Sequence, residues 1–182
     1  MSTITDNSAT VRGEWVSDPT HSTIGFRVLY MGIAPFEGAF REFDATLDGE
    51  GLRGVASAAG VDVDNEQLAE HLASPDFFDT ARYPEIRFDG GPLESGPDGR
   101  VVVSGALVVK GNSVPVTFAG TLTEPVTDPY GTSKRGLTLA GTVDRTQLGL
   151  TWNAPLPEGG TMLADDVELS ASVLFVATRE ER

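Results

Sequence analysis

Apolar and polar residues alternate along most of this chain with the period of two that marks a β-strand wetted on one side. Ile24, Phe26, Val28 and Tyr30 alternate with Gly25, Arg27 and Leu29. Val114, Val116, Phe118, Gly120 and Leu122 repeat the pattern, as do Leu137, Leu139, Gly141 and Val143, and again Val167, Leu169, Ala171, Val173 and Phe175. Residues 39–48 carry a shorter version in Phe43, Ala45 and Leu47. The segment 52–63 is weaker: Gly54, Ala56, Ala58 and Gly60 share a face, which predicts a bend or close packing against a bulkier element. Residues 101–109 are apolar on both faces, which predicts cover on both sides by a packed helix or a partner subunit.

One segment breaks the rhythm. Asn65 to Ala73 reads as a helix, with Leu68 and Leu72 four apart on one face, Asp64 or Asn65 as cap, and Ser74-Pro75 as stop. A second turn is expected at Asp76-Phe77-Phe78-Asp79. Turn pairs such as Asp48-Gly49, Asp98-Gly99 and Lys110-Gly111 punctuate the rest. The expectation is an all-β fold: about eight strands in a closed antiparallel barrel, with a helical insertion near residues 65–79. A sandwich is the alternative from pattern alone. Residues 1–12 read as a flexible polar tail and residues 13–178 as a single domain.

Composition narrows the functional classes. The formal charge is −14, from 13 basic and 27 acidic residues. Such a surface repels phosphate backbones and anionic membranes, so nucleic acid is excluded as the expected partner. No apolar run approaches the length of a membrane span. The first ten residues have neither the basic nor the apolar region of a secretory signal, so the expected location is cytoplasmic. Cysteine is absent, which removes disulfides and thiolate chemistry, and the two histidines, His21 and His71, are too few for a multi-histidine metal centre. Adjacent His21 and Ser22 project to opposite faces of a strand, so with Asp18 they do not make a catalytic triad, and no nucleophile-elbow, phosphate-loop or calcium-loop spacing occurs. No metal, cofactor or catalytic residue is expected.

Four blocks carry a resemblance. The first is Trp15, Asp18-Pro19, His21-Ser22 and Phe26. The second runs from Leu72 through Asp76-Phe77-Phe78-Asp79 and Tyr83-Pro84 to Ile86 and Phe88. Gly105-Ala106-Leu107, Lys110-Gly111 and Val114-Pro115-Val116 form the third, and Asp144-Arg145 with Leu148-Gly149-Leu150 the fourth. In this order they resemble the YceI-like family over roughly residues 14–176. The resemblance implies an extended, lipocalin-like, eight-stranded antiparallel barrel. It also implies binding of a long polyisoprenoid or isoprenoid quinone, no enzymatic activity, and in some members a homodimer. Leu68-Ala69-Glu70 departs from the Arg-Asp that often precedes the family's helical His-Leu, which bears on the head group.

The expected lining of such a barrel is Phe26, Val28, Phe43, Phe88, Leu107, Val109, Phe118, Leu139 and Phe175. The competing reading is that these side chains fill the core. Phe77 and Phe78 read either as a plug beside the barrel or as a helical turn anchored in the core. Trp152 reads as rim packing or a gate. His21 reads as part of a structural network tying the first turn to a neighbouring strand, with head-group contact as the alternative. His71 reads as a partly exposed helical residue. Asp144 and Arg145 read as a corner ion pair or turn lock, with Arg145 as a further head-group candidate. The functional expectation is a lipid carrier, store or sequestering protein. Its rivals are a self-filled barrel acting as an interaction module and, further off, an enzyme on an apolar lipid.

Overall fold

A computed structural model describes residues 11–178 of the chain. The strands in order are β1 (Trp15–Ser17), β2 (Thr23–Tyr30), β3 (Ala34–Phe40), β4 (Phe43–Asp48), β5 (Gly51–Ser57) and β6 (Val61–Asp62). After the helix α1 (Glu66–Ala73) come β7 (Glu85–Gly90), β8 (Glu94–Ser95), β9 (Arg100–Val109), β10 (Asn112–Leu122), β11 (Val126–Thr127), β12 (Ser133–Asp144) and β13 (Leu163–Ala177).

Eight antiparallel strands close a ring in the order β1, β4, β5, β7, β9, β10, β12, β13, with β13 returning to β1. Strand β13 pairs with β1 through Phe175–Ala177 and with β2 through Leu163–Ser172, so β1 and β2 are two halves of one long stave. The pairs β3–β4 and β5–β6 are staves interrupted in the same way. The barrel is therefore longest on this side, and the β2–β3 hairpin projects at what we term the upper end.

The first interruption explains the sequence block Asp18-Pro19-x-His21-Ser22. Pro19 sits at the start of a 3₁₀ turn, Pro19–His21, and the Asp18 carboxylate accepts from Thr20 N–H at 2.9 Å. Ser17 Oγ accepts from Ala45 N–H and Ser22 Oγ from Leu174 N–H, both at 3.0 Å, filling gaps the turn leaves in the ladders. The serines, not His21, reach the neighbouring strands; the imidazole pairs with Asp18 at 2.9 Å on the outer surface.

At the lower end the core is solid. Phe175 and Leu47 are fully buried among Trp15, Leu93, Val101 and Leu137. Trp15 Nε1–H donates to the Arg12 carbonyl at 3.0 Å, and the Arg135 guanidinium lies 5.2 Å from a Trp15 ring centre. Val11 is buried in this core, so packing begins inside the segment expected as a tail; residues 1–10 of that segment lie outside the described residues.

The helix begins where its cap predicts, with Asn65 Oδ1 accepting from Gln67 and Leu68 N–H. Strand β9 differs from expectation. Its inward residues Val101, Val103, Leu107 and Val109 are buried, but outward Val102, Ala106 and Val108 are only half-buried. Their outer-face register partners are Ala119, Pro115 and Ser113, and α1 sits at the barrel's upper end instead of over them.

Several turns are held by carboxylates. A hydrogen bond from His21, with one from Thr20 N–H, lowers the Asp18 carboxyl below its usual range. Arg53, with Glu50 and Gly51 N–H, does the same for Asp48, and the Thr146 hydroxyl and N–H do so for Asp144. Lowered folded-state values contribute stability that is complete above the unfolded carboxyl pKa, about 3.9, and lost as pH falls through the folded values. The urea midpoint is therefore expected to hold steady down to about pH 5 and to fall below about pH 4. Asp48→Asn should flatten that fall, and an unchanged acid limb in the variant counts against the assignment.

Candidate functional site

Above the solid lower core the barrel is hollow. A cavity of about 790 Å³ runs between the inner faces of the strands and ends under α1 and the 145–162 segment. Phe26, Val28, Phe43, Phe88, Leu107, Val109, Phe118 and Leu139 line it, as the alternation predicts. Phe77, Phe78 and Trp152 line it at the upper end. Two nominated residues do not. Phe175 shares the inward face of β13 but lies in the filled lower end, and His21 is on the outer surface.

Three aromatic rings lie flat on the wall because glycine stands beside them. A Cβ at Gly38 would come within 2.4 Å of the Phe26 ring, one at Gly90 within 2.6 Å of Phe88, and one at Gly141 within 2.7 Å of Phe118. Each glycine gives the ring the space its own side chain would take, and the lumen stays open. Phe26 in turn meets Phe36 at 6.0 Å and Phe40 at 5.8 Å between ring centres, and Phe88 meets Phe118 edge-on at 5.2 Å.

Part of the upper end is roofed by contacts between α1 and the 145–162 segment. His71 stacks edge-on against Trp152, with centroids 4.8 Å apart, and against Phe77 at 5.0 Å. Phe77 and Trp152 are 5.4 Å apart, and His71 Nε2 lies 3.2 Å from an Asp76 carboxylate oxygen. Phe77 is thus both anchored in packing and part of the cavity roof, and Trp152 is rim packing that lines the mouth. His71 is a partly exposed helical residue, as expected, and it lines the cavity as well, which that reading did not include. Its spacing held the signal: Leu68, His71 and Leu72 share a helix face. Phe36 and Phe40, inward on β3 with Gly38 between them, were legible in the same way.

Arg145 also borders the cavity and is 4% exposed. Its Nε donates to the Ala164 carbonyl at 2.8 Å, and its Nη1 to the carbonyls of Leu150 at 2.6 Å and Trp152 at 2.9 Å. Its carboxylate neighbour is Asp165, at 3.8 Å, not Asp144, which caps the following turn through Thr146. Burial pushes the guanidinium pKa down, opposed by the charges of Asp165 and Asp144, and the group stays protonated at neutral pH. Arg145 is therefore a turn lock whose donors are mostly committed to backbone.

Few polar side chains face the lumen. Arg53, Arg87 and Ser170 hold outward register positions on their strands. Tyr30, Asn65, Gln67 and His71 gather at the upper end, where Tyr30, Asn65 and Gln67 are exposed, as are Ala34 and Pro35. These residues mark a mouth between the β2–β3 hairpin and the start of α1. Among the described residues, no three His, Asp or Glu side chains gather as metal ligands would, and no helix is long and apolar enough to cross a membrane.

The YceI-like domain profile matches residues 15–175. The chain belongs to the YceI-like family. A UPF0312 protein of Staphylococcus aureus strain N315 is 30% identical over 169 residues, covering 87% of this chain and 94% of that one. Among solved structures, BcnA of Burkholderia cenocepacia superposes with a TM-score of 0.70 at 18% identity, over 87% of this chain and 98% of its own. A polyisoprenoid-binding domain from Saccharophagus degradans gives a TM-score of 0.68 at 12% identity, over 92% of this chain and 99% of its own. At such identities these likenesses establish the fold: an eight-stranded YceI-like barrel.

Replacing Arg145 by Met keeps much of its bulk but strands the carbonyls of Leu150, Trp152 and Ala164. Each loses a partner worth about 1 kcal/mol or more, so the expected loss of unfolding free energy is about 3 kcal/mol. Urea denaturation measures it, and a loss under about 1 kcal/mol contradicts the turn-lock assignment.

Proposed function

We propose that this YceI-like barrel binds one polyisoprenoid chain, free or as the tail of an isoprenoid quinone, and carries it through water. The observation that carries this reading is the 790 Å³ apolar cavity, closed below and opening at a mouth with a few polar groups. A hydrocarbon tail needs apolar area and shape, and offers no acceptor that an inward polar group must match. Its head group would lie at the mouth, against the Tyr30 hydroxyl, the Gln67 amide and the His71 ring. Arg145 contributes by holding the mouth's backbone. Neither an activated nucleophile nor a base is part of this function, which is binding and not catalysis. The cavity lies within one chain, so a homodimer through the outer face of β9 is an assembly around it and not a requirement.

We take the cavity volume as the guide to tail length. At about 30 Å³ per carbon-sized site, the share one water takes in the liquid, a volume of about 790 Å³ holds on the order of 25 chain atoms. That is about five five-carbon units. Each further unit that fits is expected to tighten binding about tenfold or more, since a buried methylene contributes about 0.8 kcal/mol before ordering costs. Beyond about five units affinity should level off. Titration with a graded series of prenols and a menaquinone reads this directly, alongside mass spectrometry of organic extracts of the purified protein. A protein that takes up no member of the series sinks the carrier reading and favours the self-filled interaction module.

Gly38→Ala tests the open wall. The atoms nearest the new methyl belong to the Phe26 ring and a Val63 methyl, so the ring is expected to swing into the lumen. The longest prenol that fits should lose about tenfold in affinity, while unfolding free energy changes by about 1 kcal/mol or less, below the usual range for overpacking. Unchanged binding of that prenol contradicts the lining assigned to Phe26.

A further inference from the structure

Residues 28–36 read Val-Leu-Tyr-Met-Gly-Ile-Ala-Pro-Phe, with no charged side chain, in a protein of net charge −14. They form the end of β2, the three-residue connection Met31-Gly32-Ile33 and the start of β3. Among the described residues seven large apolar side chains are exposed, and four of them, Leu29, Tyr30, Met31 and Ile33, lie here within five positions. Ile33 is 81% exposed. They form a patch at a tip, where an isolated exposed apolar residue would need no explanation.

The turn itself is unusual. Met31 and Gly32 both have positive φ, 54° and 73°, and Ile33 N–H returns to the Tyr30 carbonyl at 3.1 Å. This is the hairpin turn that favours Asn-Gly, and an unbranched apolar residue at its first position carries backbone strain. Strain at an exposed, apolar position points to use of the side chain. The tip is also fixed to the cavity mouth. Met31 N–H donates to the Met162 carbonyl at 2.7 Å, and Tyr30, Ala34, Pro35 and Met162 line the mouth.

We propose that the Leu29–Ala34 tip docks on the surface of an electroneutral lipid bilayer, and that cargo passes there between the bilayer and the cavity. The docking stands on the hairpin; the passage of cargo rests on the binding function proposed above. Charge selects the occupant. Below the tip, Glu37 and Glu168 share Arg27, at 3.7 and 4.0 Å, and Asp165 lies 3.8 Å from Arg145, so these groups carry a net negative charge within a protein of net charge −14. Two copies set tip to tip would bring two acidic molecules together, and an anionic lipid surface would repel that net charge. An electroneutral bilayer takes the apolar tip and leaves the flanks in water, with Tyr30 at the depth aromatic rings favour.

Flotation of the purified full chain with phosphatidylcholine vesicles at low salt tests this. Wild-type protein is expected to float with the vesicles, and adding phosphatidylserine should reduce the bound fraction until salt restores it. Met31→Asn should lower vesicle binding several-fold, and Met31→Asn with Ile33→Asn about tenfold or more. Met31→Asn should also melt at the same or a higher temperature, because asparagine suits that φ. A loss of binding is then not a loss of folding. Neither residue lines the cavity, so binding of a prenol in vesicle-free solution should not change in either variant. Wild-type protein that stays off the vesicles overturns the docking. So does a double variant that floats as well as wild type, or a dimer in sedimentation velocity that the double variant abolishes. Intact flotation with no prenol binding in solution would instead remove the cargo step and leave the docking in place.

Discussion

The barrel depends on one strand. β13 runs fifteen residues, pairs with β12 along one edge, and on the other edge with β2 and then β1. Among the described residues its ladders are the ones that join the last part of the chain to the first, so the ring closes only if its register is right. A slip of one residue would turn Val167, Leu169, Ala171, Val173 and Phe175 outward and set their polar neighbours against the lumen. The ladder to β12, from Lys134↔Val176 to Asp144↔Asp166, opposes that slip at every step. Partners so far apart in sequence close late, after loop entropy has been overcome. The chain's ends therefore meet in the element that makes the cavity possible.

A closed ring of eight strands does not dictate whether its inside is empty. Here the same alternation gives both outcomes along one axis. At the lower end, large inward side chains meet from all sides, and Phe175 and Leu47 lose all contact with solvent. Higher up, Gly38, Gly90 and Gly141 occupy inward-facing neighbourhoods where a side chain would push a ring off the wall. The hollow comes from where small residues stand beside aromatic ones. That local choice, not strand number, separates a hollow barrel from a filled one.

This explains what could be seen in the sequence and what could not. Period-two alternation names the inward face, so Phe26, Val28, Phe88, Phe118 and Leu139 were identifiable as lining or core. It carries no information about depth along the barrel, so Phe175 looked equivalent to Leu169 although one is in the floor and the other in the wall. The helix was legible because its cap, its leucine pair and its stop agree. In the segment 39–48 the break between β3 and β4 is marked only by a shift of phase, from inward Phe36 and Phe40 to inward Phe43, Ala45 and Leu47 across Arg41–Glu42, which reading 39–48 as one segment passed over. Arg145 was legible as a corner residue, but its partners were not. Four backbone carbonyls up to nineteen positions away leave no trace in residue type.

The upper wall also sets where the barrel can open. Strand pairing between β5 and β7 ends at Ser57↔Glu85, and β6 above it pairs only with β3. Beyond that point the wall on this side is α1 and the 74–84 segment, held by side-chain packing and turns and not by a strand ladder. Leu68, His71 and Leu72 face the lumen from an eight-residue helix, and a helix so short has little stability apart from its packing. Displacing it exposes a few apolar side chains and the His71–Phe77–Trp152 cluster, but breaks no rung of the ring. Local opening draws on the low-stability end of the structure. The closed sheet keeps the shape of the cavity, while the helix, where the ladder is missing, is the part of the wall that can move without breaking it.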